Sequence, residues 1–155
     1  MKAIVIFAII ALLSVSGCND NPTKFDQVKD IGAQERIIIL DNELSIMPRL
    51  YRDFMPTIPP SEKPMYVFIN VYDINSLVIP ENITADYVWL FSDDLSWGGS
   101  LNKRTDRNTA DSLFFGNGDG PKWDPHVKID VYVRVKSYNK YYYIKAENIG
   151  IFVTS

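Results

Sequence analysis

Alternation of apolar and polar residues along the chain predicts β-strands rather than helices. The clearest case is segment 127–136, in which aliphatic residues alternate strictly with polar or amphipathic ones. A period of two places every second side chain on the same face of a strand. We therefore expect a strand with one dry face, whose core residues are Val127, Ile129, Val131, Val133 and Val135.

Strand signals of this kind recur about seven times after residue 33. The other segments are 36–40, 65–73, 87–91, 112–115, 141–145 and 149–153. Segment 65–72 is bulky on both faces, which predicts a central strand or one covered by a loop. Residues 137–140 predict a hairpin turn between two strands, with Asn139 suited to a positive φ.

No segment after residue 33 has a convincing helical stripe. The nearest, 41–54, is interrupted by Pro48, so we expect at most one short helix. Short strands with proline and glycine between them predict an all-β fold, an antiparallel two-layer sandwich of the immunoglobulin-like or transthyretin-like kind. A small β-barrel is the alternative. The single cysteine of the chain leaves no possibility of a disulfide within the domain.

The first residues have the order of a secretory signal: Lys2, the apolar run 3–13, and then small residues. The run is too short for a membrane-spanning helix, which takes roughly 20 residues. The tetrapeptide Val15-Ser16-Gly17-Cys18 resembles the bacterial lipobox. This resemblance implies that residues 1–17 are removed and that Cys18 becomes the first residue, carrying a diacylglycerol group with or without an additional N-linked acyl chain. It also implies a bacterial envelope protein, and Asn19 in place of Asp favours the outer membrane over the inner membrane.

The remaining chain divides into a tether and one domain. Residues 18–33 are polar and show no period, which predicts a lipidated cysteine followed by a flexible tether. Residues 34–155 suffice for one β-sandwich domain. The chain has 16 basic and 19 acidic residues, and the basic ones are scattered among the acidic ones. Nucleic acid is therefore not an expected partner, and attachment to the membrane is left to the acyl chains.

The proline-rich run 47–60 keeps aromatic and aliphatic residues where a regular strand is not expected. One interpretation is a loop that covers a sheet edge and plugs the end of the core. The other is an adhesive surface for a protein partner, with Arg49, Tyr51 and Arg52 as its contact residues. Arginine and tyrosine are among the residue types that dominate binding hot spots.

Two tryptophans in probable loops suggest a different ligand. Trp97 lies beside Gly98 and Gly99, and Trp123 follows Pro121 and Lys122. If exposed together, the two rings would form a platform on which a sugar could stack. Trp89 lies within a strand pattern and is expected in the core, where tryptophan is usually found.

Acidic and glycine-rich segments of the chain are candidates for a calcium-binding loop. Asp93, Asp94 and Asp119 supply oxygen ligands, but the stretch 116–124 lacks the ligand pattern of an EF-hand and is typical of turns. We therefore expect no metal site.

Catalysis is not indicated either. His126 is the only histidine, and no nucleophile motif, phosphate-binding loop or dinucleotide fingerprint is present. We expect neither an enzyme nor a cofactor other than the acyl chains. The expected function is that of a membrane-anchored envelope lipoprotein whose domain binds another envelope protein. The alternative is a carbohydrate-binding module displayed on the envelope.

Overall fold

The computed structural model describes residues 25–54 and 63–154 of the chain, which are nearly all β-structure. The α-helix is α1 (Phe25–Lys29), and a 3-10 helix spans Thr105–Arg107. The strands in chain order are β1 (Arg36–Ile39), β2 (Asn42–Asp53), β3 (Met65–Asp73), β4 (Ile83–Ser92), β5 (Leu95–Ser100), β6 (Asn102–Lys103), β7 (Ser112–Gly120), β8 (Ile129–Ser137), β9 (Lys140–Ile149) and β10 (Ile151–Thr154).

The strands form two sheets that pack face to face. The larger sheet has six strands in the order β1-β2-β3-β7-β6, with β10 also paired to β2, and the smaller has four in the order β5-β4-β8-β9. Neighbouring strands are antiparallel, apart from the parallel pair of β10 with β2. The predicted all-β sandwich is confirmed, and the alternative of a closed barrel was wrong for the described chain.

The main core lies between the two sheets. In β8, Ile129, Val131, Val133 and Val135 are completely or almost completely buried there, which confirms the predicted face. Val127 precedes the strand and is only partly buried. Removing each such side chain from water stabilises the fold by about 1.5–3 kcal/mol.

β3 also begins and ends where the sequence predicts, and it is a central strand between β2 and β7. Its inward residues are buried, whereas Tyr66 on the outer side is 44% exposed. The expectation that both faces are buried was therefore correct for the inner face only. This leaves an aromatic outer face on the six-stranded sheet.

β2 is the largest difference from the sequence analysis, which expected no strand over residues 41–54. The strand has 12 residues and includes Pro48. Proline is tolerated because β1 pairs with residues 42–45 and β10 with residues 50–53, so residues 46–49 lie in the gap between these two neighbours. A strand position with a partner on one side only is where the missing N–H of proline costs little. Residues 55–60 of the proline-rich run lie outside the described residues.

α1 covers part of the outer face of the four-stranded sheet. Val28 is fully buried in a second apolar cluster with Trp89, Phe91 and Tyr132. Residues 25–33, which were expected to belong to the flexible tether, therefore include a helix packed on the domain. Trp89 is buried as expected, but in this outer cluster and not between the sheets. The signal segment and Cys18 lie outside the described residues, and no helix within those residues is long and apolar enough to cross a membrane.

Two glycine-containing segments differ from the loops that were expected. Residues 116–120, interpreted as turn-like, are the end of β7. Residues 95–100 form β5, and Gly99 is required there because a Cβ atom would lie 2.5 Å from Cη2 of Trp97. The hairpin turn between β8 and β9 is confirmed, although the positive φ of 52° belongs to Tyr138 and not to Asn139.

Candidate functional site

The outer face of the six-stranded sheet carries a row of aromatic rings, which we call the aromatic strip. Its ring centroids are separated by 5.5 Å from Phe152 to Tyr51, 6.0 Å from Tyr51 to Phe68, and 6.4 Å from Phe68 to Tyr66. The strip crosses three strands because Tyr51 in β2 is paired with Phe152 in β10 and with Tyr66 in β3. Phe152 is 57% exposed and Tyr66 is 44% exposed. The strip is therefore accessible at both ends.

An open groove borders the strip. One part is a pocket of about 290 Å³, and its lining residues with exposed or half-buried side chains are Arg49, Tyr51, Phe68, Arg104, Arg107 and Phe114. A second pocket of about 280 Å³ shares Phe68 and Arg104 with the first and extends to Tyr66 and Asn117. We call the two connected pockets the arginine groove. Each is at or below the small end of the usual range for small-molecule sites.

β2 places Arg49 and Tyr51 on the same side of the sheet. Both alternate with Leu50, which is fully buried in the core. The period of two in a strand therefore directs the guanidinium and the phenol ring outward together. These are two of the residues that the sequence selected as binding candidates, and the structure brings them together.

Hydrogen bonds to β7 fix the segment that carries the other arginines. The N–H of Arg104 donates to the carbonyl of Phe114 at 2.7 Å. In return, the N–H of Phe114 donates to Oδ1 of Asn108 at 2.8 Å. Arg104 directly precedes the 3-10 helix and Arg107 is its last residue, so both lie in the segment that these two hydrogen bonds hold against β7. Asn108 therefore acts as a positioning residue for the basic side of the groove.

The groove has more cationic than anionic groups. Asp106 lies 3.5 Å from Nε of Arg104 and 4.0 Å from Nε of Arg107, so one carboxylate is shared by two guanidinium groups. Arg49 is exposed, and within residues 25–54 and 63–154 its guanidinium contacts the sulfur of Met47 at 4.0 Å and forms no salt bridge. The excess of positive charge suits an anionic ligand group, and arginine can hold a carboxylate with two parallel hydrogen bonds.

Arg52 points to the opposite side of β2 and is only 4% exposed. Its guanidinium donates to the carbonyls of Trp123 at 2.9 Å, Lys63 at 3.0 Å and Lys122 at 3.4 Å. These bonds tie β2 to two other segments. Arg52 therefore stabilises the fold and is not available as a contact residue beside Arg49 and Tyr51.

The two tryptophans proposed as a sugar platform are partly buried. Both Trp97 and Trp123 pack against the main core, and the described aromatic pairs do not join their rings. The Trp97 ring lies directly beside Gly99 in the same strand, β5. Their geometry thus differs from the exposed, paired arrangement that the platform hypothesis requires.

The acidic and histidine candidates lie at separate surface positions. Asp93 and Asp94 form the turn between β4 and β5, and Asp119 lies at the exposed end of β7. In the described part of the chain, no group of three or more His, Cys, Asp or Glu residues could hold a metal ion.

His126 is exposed, and its Nδ1 atom lies 2.7 Å from Oδ1 of Asp124. Hydrogen bonds from the backbone and the ring of His126 hold the pKa of Asp124 below its ordinary value. This pair is local to one loop and has no contact with the arginine groove among the bonds of the described residues.

Sequence reasoning missed most of the groove. Phe68, Phe114, Arg104 and Arg107 come from different strands and connections, and only the sheet register brings them next to Arg49. One local signal was present, because residues 103–107 contain three basic side chains and one acidic one.

Comparison of the chain with protein-family models, with curated proteins and with solved structures found no match.

Proposed function

We propose that this chain is a lipid-anchored bacterial envelope protein whose β-sandwich binds another envelope protein through the outer face of the six-stranded sheet. The observation that carries the proposal is the position of the aromatic strip beside the arginine groove on that one face. Tyrosine and arginine are enriched in the few residues that dominate protein interfaces. The lipobox-like segment ending at Cys18 supports the anchor.

A binding role suits the chemistry of the groove better than a catalytic role. Its lining consists mainly of guanidinium groups and aromatic rings. A guanidinium stays protonated at neutral pH and supplies donors only, while phenylalanine rings supply apolar surface. Such groups hold and orient a ligand but do not readily accept a proton during a reaction.

A carbohydrate-binding module is the second candidate, with the rings of the strip in place of Trp97 and Trp123. The observation in its favour is the stacked pair of Tyr66 and Phe68, whose planes differ by 8°. The edges and outer ring faces of such a pair supply apolar surface, against which a sugar ring could pack. Protein binding remains our first proposal because the strip continues beyond this pair to Tyr51 and Phe152.

Site-specific photo-crosslinking in the native host tests these proposals. The full-length protein would carry a photoreactive phenylalanine analogue in place of Tyr66 or, separately, Phe152. The matched control is Tyr138, which is 69% exposed in the turn between β8 and β9. We expect one discrete envelope protein to be crosslinked from both strip positions and not from Tyr138. Equal products from all three positions, or none from the strip, would contradict the proposal.

A further inference from the structure

We propose that the arginine groove binds an acidic, extended segment of the protein partner, with a carboxylate on the arginines and an apolar side chain on the aromatic rings. This inference rests on the proposed function and deepens it by naming the chemistry of the bound segment. It commits to a peptide carboxylate, and an acidic sugar is the competing outcome of the test below.

Charge complementarity is the first argument. Arg104 and Arg107 share the single carboxylate of Asp106, and Arg49 forms no salt bridge to a described residue. The groove therefore has positive charge that its own described acidic groups do not balance. A carboxylate entering the groove would gain charge-assisted hydrogen bonds without displacing an ion pair between Arg49 and another described residue.

The apolar floor is the second argument. Tyr51 and Phe68 meet edge to face with their centroids 6.0 Å apart, and both line the same pocket as Phe114. All three are half-buried, so each ring keeps a surface that solvent can reach. Covering such rings with an apolar side chain adds hydrophobic stabilisation to the ionic contacts.

The shape of the groove is the third argument. The two connected pockets of about 290 and 280 Å³ lie side by side along the sheet and are not enclosed. An enclosed cavity is what a small cofactor usually occupies. An open row of two shallow pockets instead suits every second side chain of an extended segment, because residues i and i+2 point in the same direction.

A pair of short peptides provides the probe. Binding of acetyl-Glu-Gly-Phe-amide and of acetyl-Gln-Gly-Phe-amide to the acylated mature chain in detergent micelles would be followed by NMR shifts of groove amides such as Gly116. We expect the acidic peptide to bind about tenfold more tightly than the glutamine peptide, because the glutamine peptide lacks a charged hydrogen bond to the arginines. Raising the salt concentration should weaken its binding, because exposed ionic contacts are screened.

Matched variants locate the binding. Arg49→Met and Arg104→Met remove a guanidinium but keep much of the apolar stem, and each should weaken binding of the acidic peptide about tenfold. Lys122→Met removes an exposed basic residue that does not line the groove and should leave binding unchanged. Equal binding of the two peptides, or unchanged binding by both arginine variants, would overturn the inference.

Two further outcomes separate this inference from the proposed function. If Arg49→Met still gives the crosslinked product from Tyr66 and Phe152 at full yield, the partner binds on the strip and the acidic-segment inference fails alone. If trigalacturonate binds the groove more tightly than the acidic peptide and competes with it, the bound class is an acidic glycan and the peptide inference is wrong. Absence of the crosslinked product from both Tyr66 and Phe152 in the protein that retains its native arginines contradicts the proposed function itself.

Discussion

Arg134 and Asp86 form a two-bonded ion pair across neighbouring strands of the four-stranded sheet. Nε of Arg134 donates to Oδ1 of Asp86 at 2.8 Å, and Nη2 donates to Oδ2 at 2.8 Å. The guanidinium also lies 4.7 Å from the centroid of the Tyr141 ring. The hydrogen bonds that Arg134 donates to Asp86 raise the pKa of Arg134 above its ordinary value. The pair is thus a planar contact for which arginine geometry is required.

Substitution Arg134→Lys should destabilise the fold. A lysine keeps the charge but cannot form two parallel bonds to one carboxylate, so we expect a loss of about 1–3 kcal/mol in the free energy of unfolding. Urea unfolding of the mature chain measures this loss. The control is Arg36→Lys at the exposed pair with Glu43, whose atoms are 3.5 Å apart. Arg36→Lys should lower the free energy of unfolding by less than about 1 kcal/mol. Equal losses for the two variants would contradict the prediction.

Asp73 should make the stability depend on pH in the acidic range. Burial alone would raise the pKa of Asp73, but hydrogen bonds from the N–H groups of Leu77 and Asn75 and from the Asn42 amide together lower it. A carboxyl whose pKa is lower in the folded state stabilises the fold fully above its unfolded pKa. This stabilisation is lost as the pH falls from about 4, the unfolded value, through the lower folded value.

The variant Asp73→Asn tests this dependence. Its amide nitrogen would face the Asn42 amide nitrogen, so we expect a loss of about 1–3 kcal/mol at pH 7. The difference from the unsubstituted protein should shrink as the pH falls below about 4, where Asp73 of the unfolded chain becomes protonated, and on through the lower folded pKa. Urea unfolding at a series of pH values measures both effects. The exposed neighbour variant Asp41→Asn is the control, and a pH-independent difference for Asp73→Asn would contradict the assignment.

Val28→Asp should release α1 from the sheet and leave the sandwich folded. The side chain of Val28 is fully buried against Trp89, Phe91 and Tyr132, and a charge cannot remain in that cluster without a partner. We expect trypsin to cleave after the exposed Lys29 about tenfold faster or more, since the lost burial of valine is worth about 1.5–3 kcal/mol. The tryptophan fluorescence emission should shift to longer wavelength because Trp89 becomes exposed to solvent.

Gln27→Asp is the matched control for this experiment. It places the same charge on an exposed position of α1 and should leave cleavage and fluorescence unchanged. If both variants behave alike, charge near the helix and not burial of Val28 controls the docking. If Val28→Asp unfolds the whole domain, α1 is part of the main folding unit and the two apolar clusters are not independent.

Cys18→Ala should abolish lipidation. The thiol of Cys18 is the expected acceptor of the diacylglycerol group, and the acyl chains hold the protein with about 0.8 kcal/mol for each buried methylene. Incorporation of a labelled palmitate analogue should fall to background, and the processed domain should no longer sediment with membranes. Ser16→Ala keeps a small residue before the cysteine and should still be labelled. Retained labelling of Cys18→Ala would disprove the anchor.

Strands with strong alternation were predictable, and strands defined by distant partners were not. The ends of β3 and the core face of β8 follow from local pattern, because period and residue type agree there. β2 was missed because Pro48 argues against a strand in isolation. Only the arrangement of β1 and β10, which leaves a gap beside residues 46–49, makes that proline acceptable.

The same limit applies to the candidate site. Arg49 and Tyr51 were found because both residue types stand out within one local segment. Arg104 and Phe114 were not, because they join Arg49 through a register between β2, β3 and β7 that no local pattern encodes. Arg52 shows the opposite error, since the alternation of β2 turns it inward although its residue type suggested a surface contact.

With the lipid anchor that we propose at Cys18, the docking of α1 would limit how far the domain can stand from the bilayer and which side it turns outward. Six residues, 19–24, lie between the expected anchor Cys18 and the helix, and the contour from Cys18 to Phe25 is at most about 25 Å. α1 lies on the four-stranded sheet, whereas the arginine groove lies on the outer face of the other sheet. Tension between a bound partner and the lipid would thus pass through the whole thickness of the sandwich. It would act first on the apolar cluster of Val28 and Trp89, and under the proposed anchoring this small cluster would be the mechanical coupling between domain and membrane.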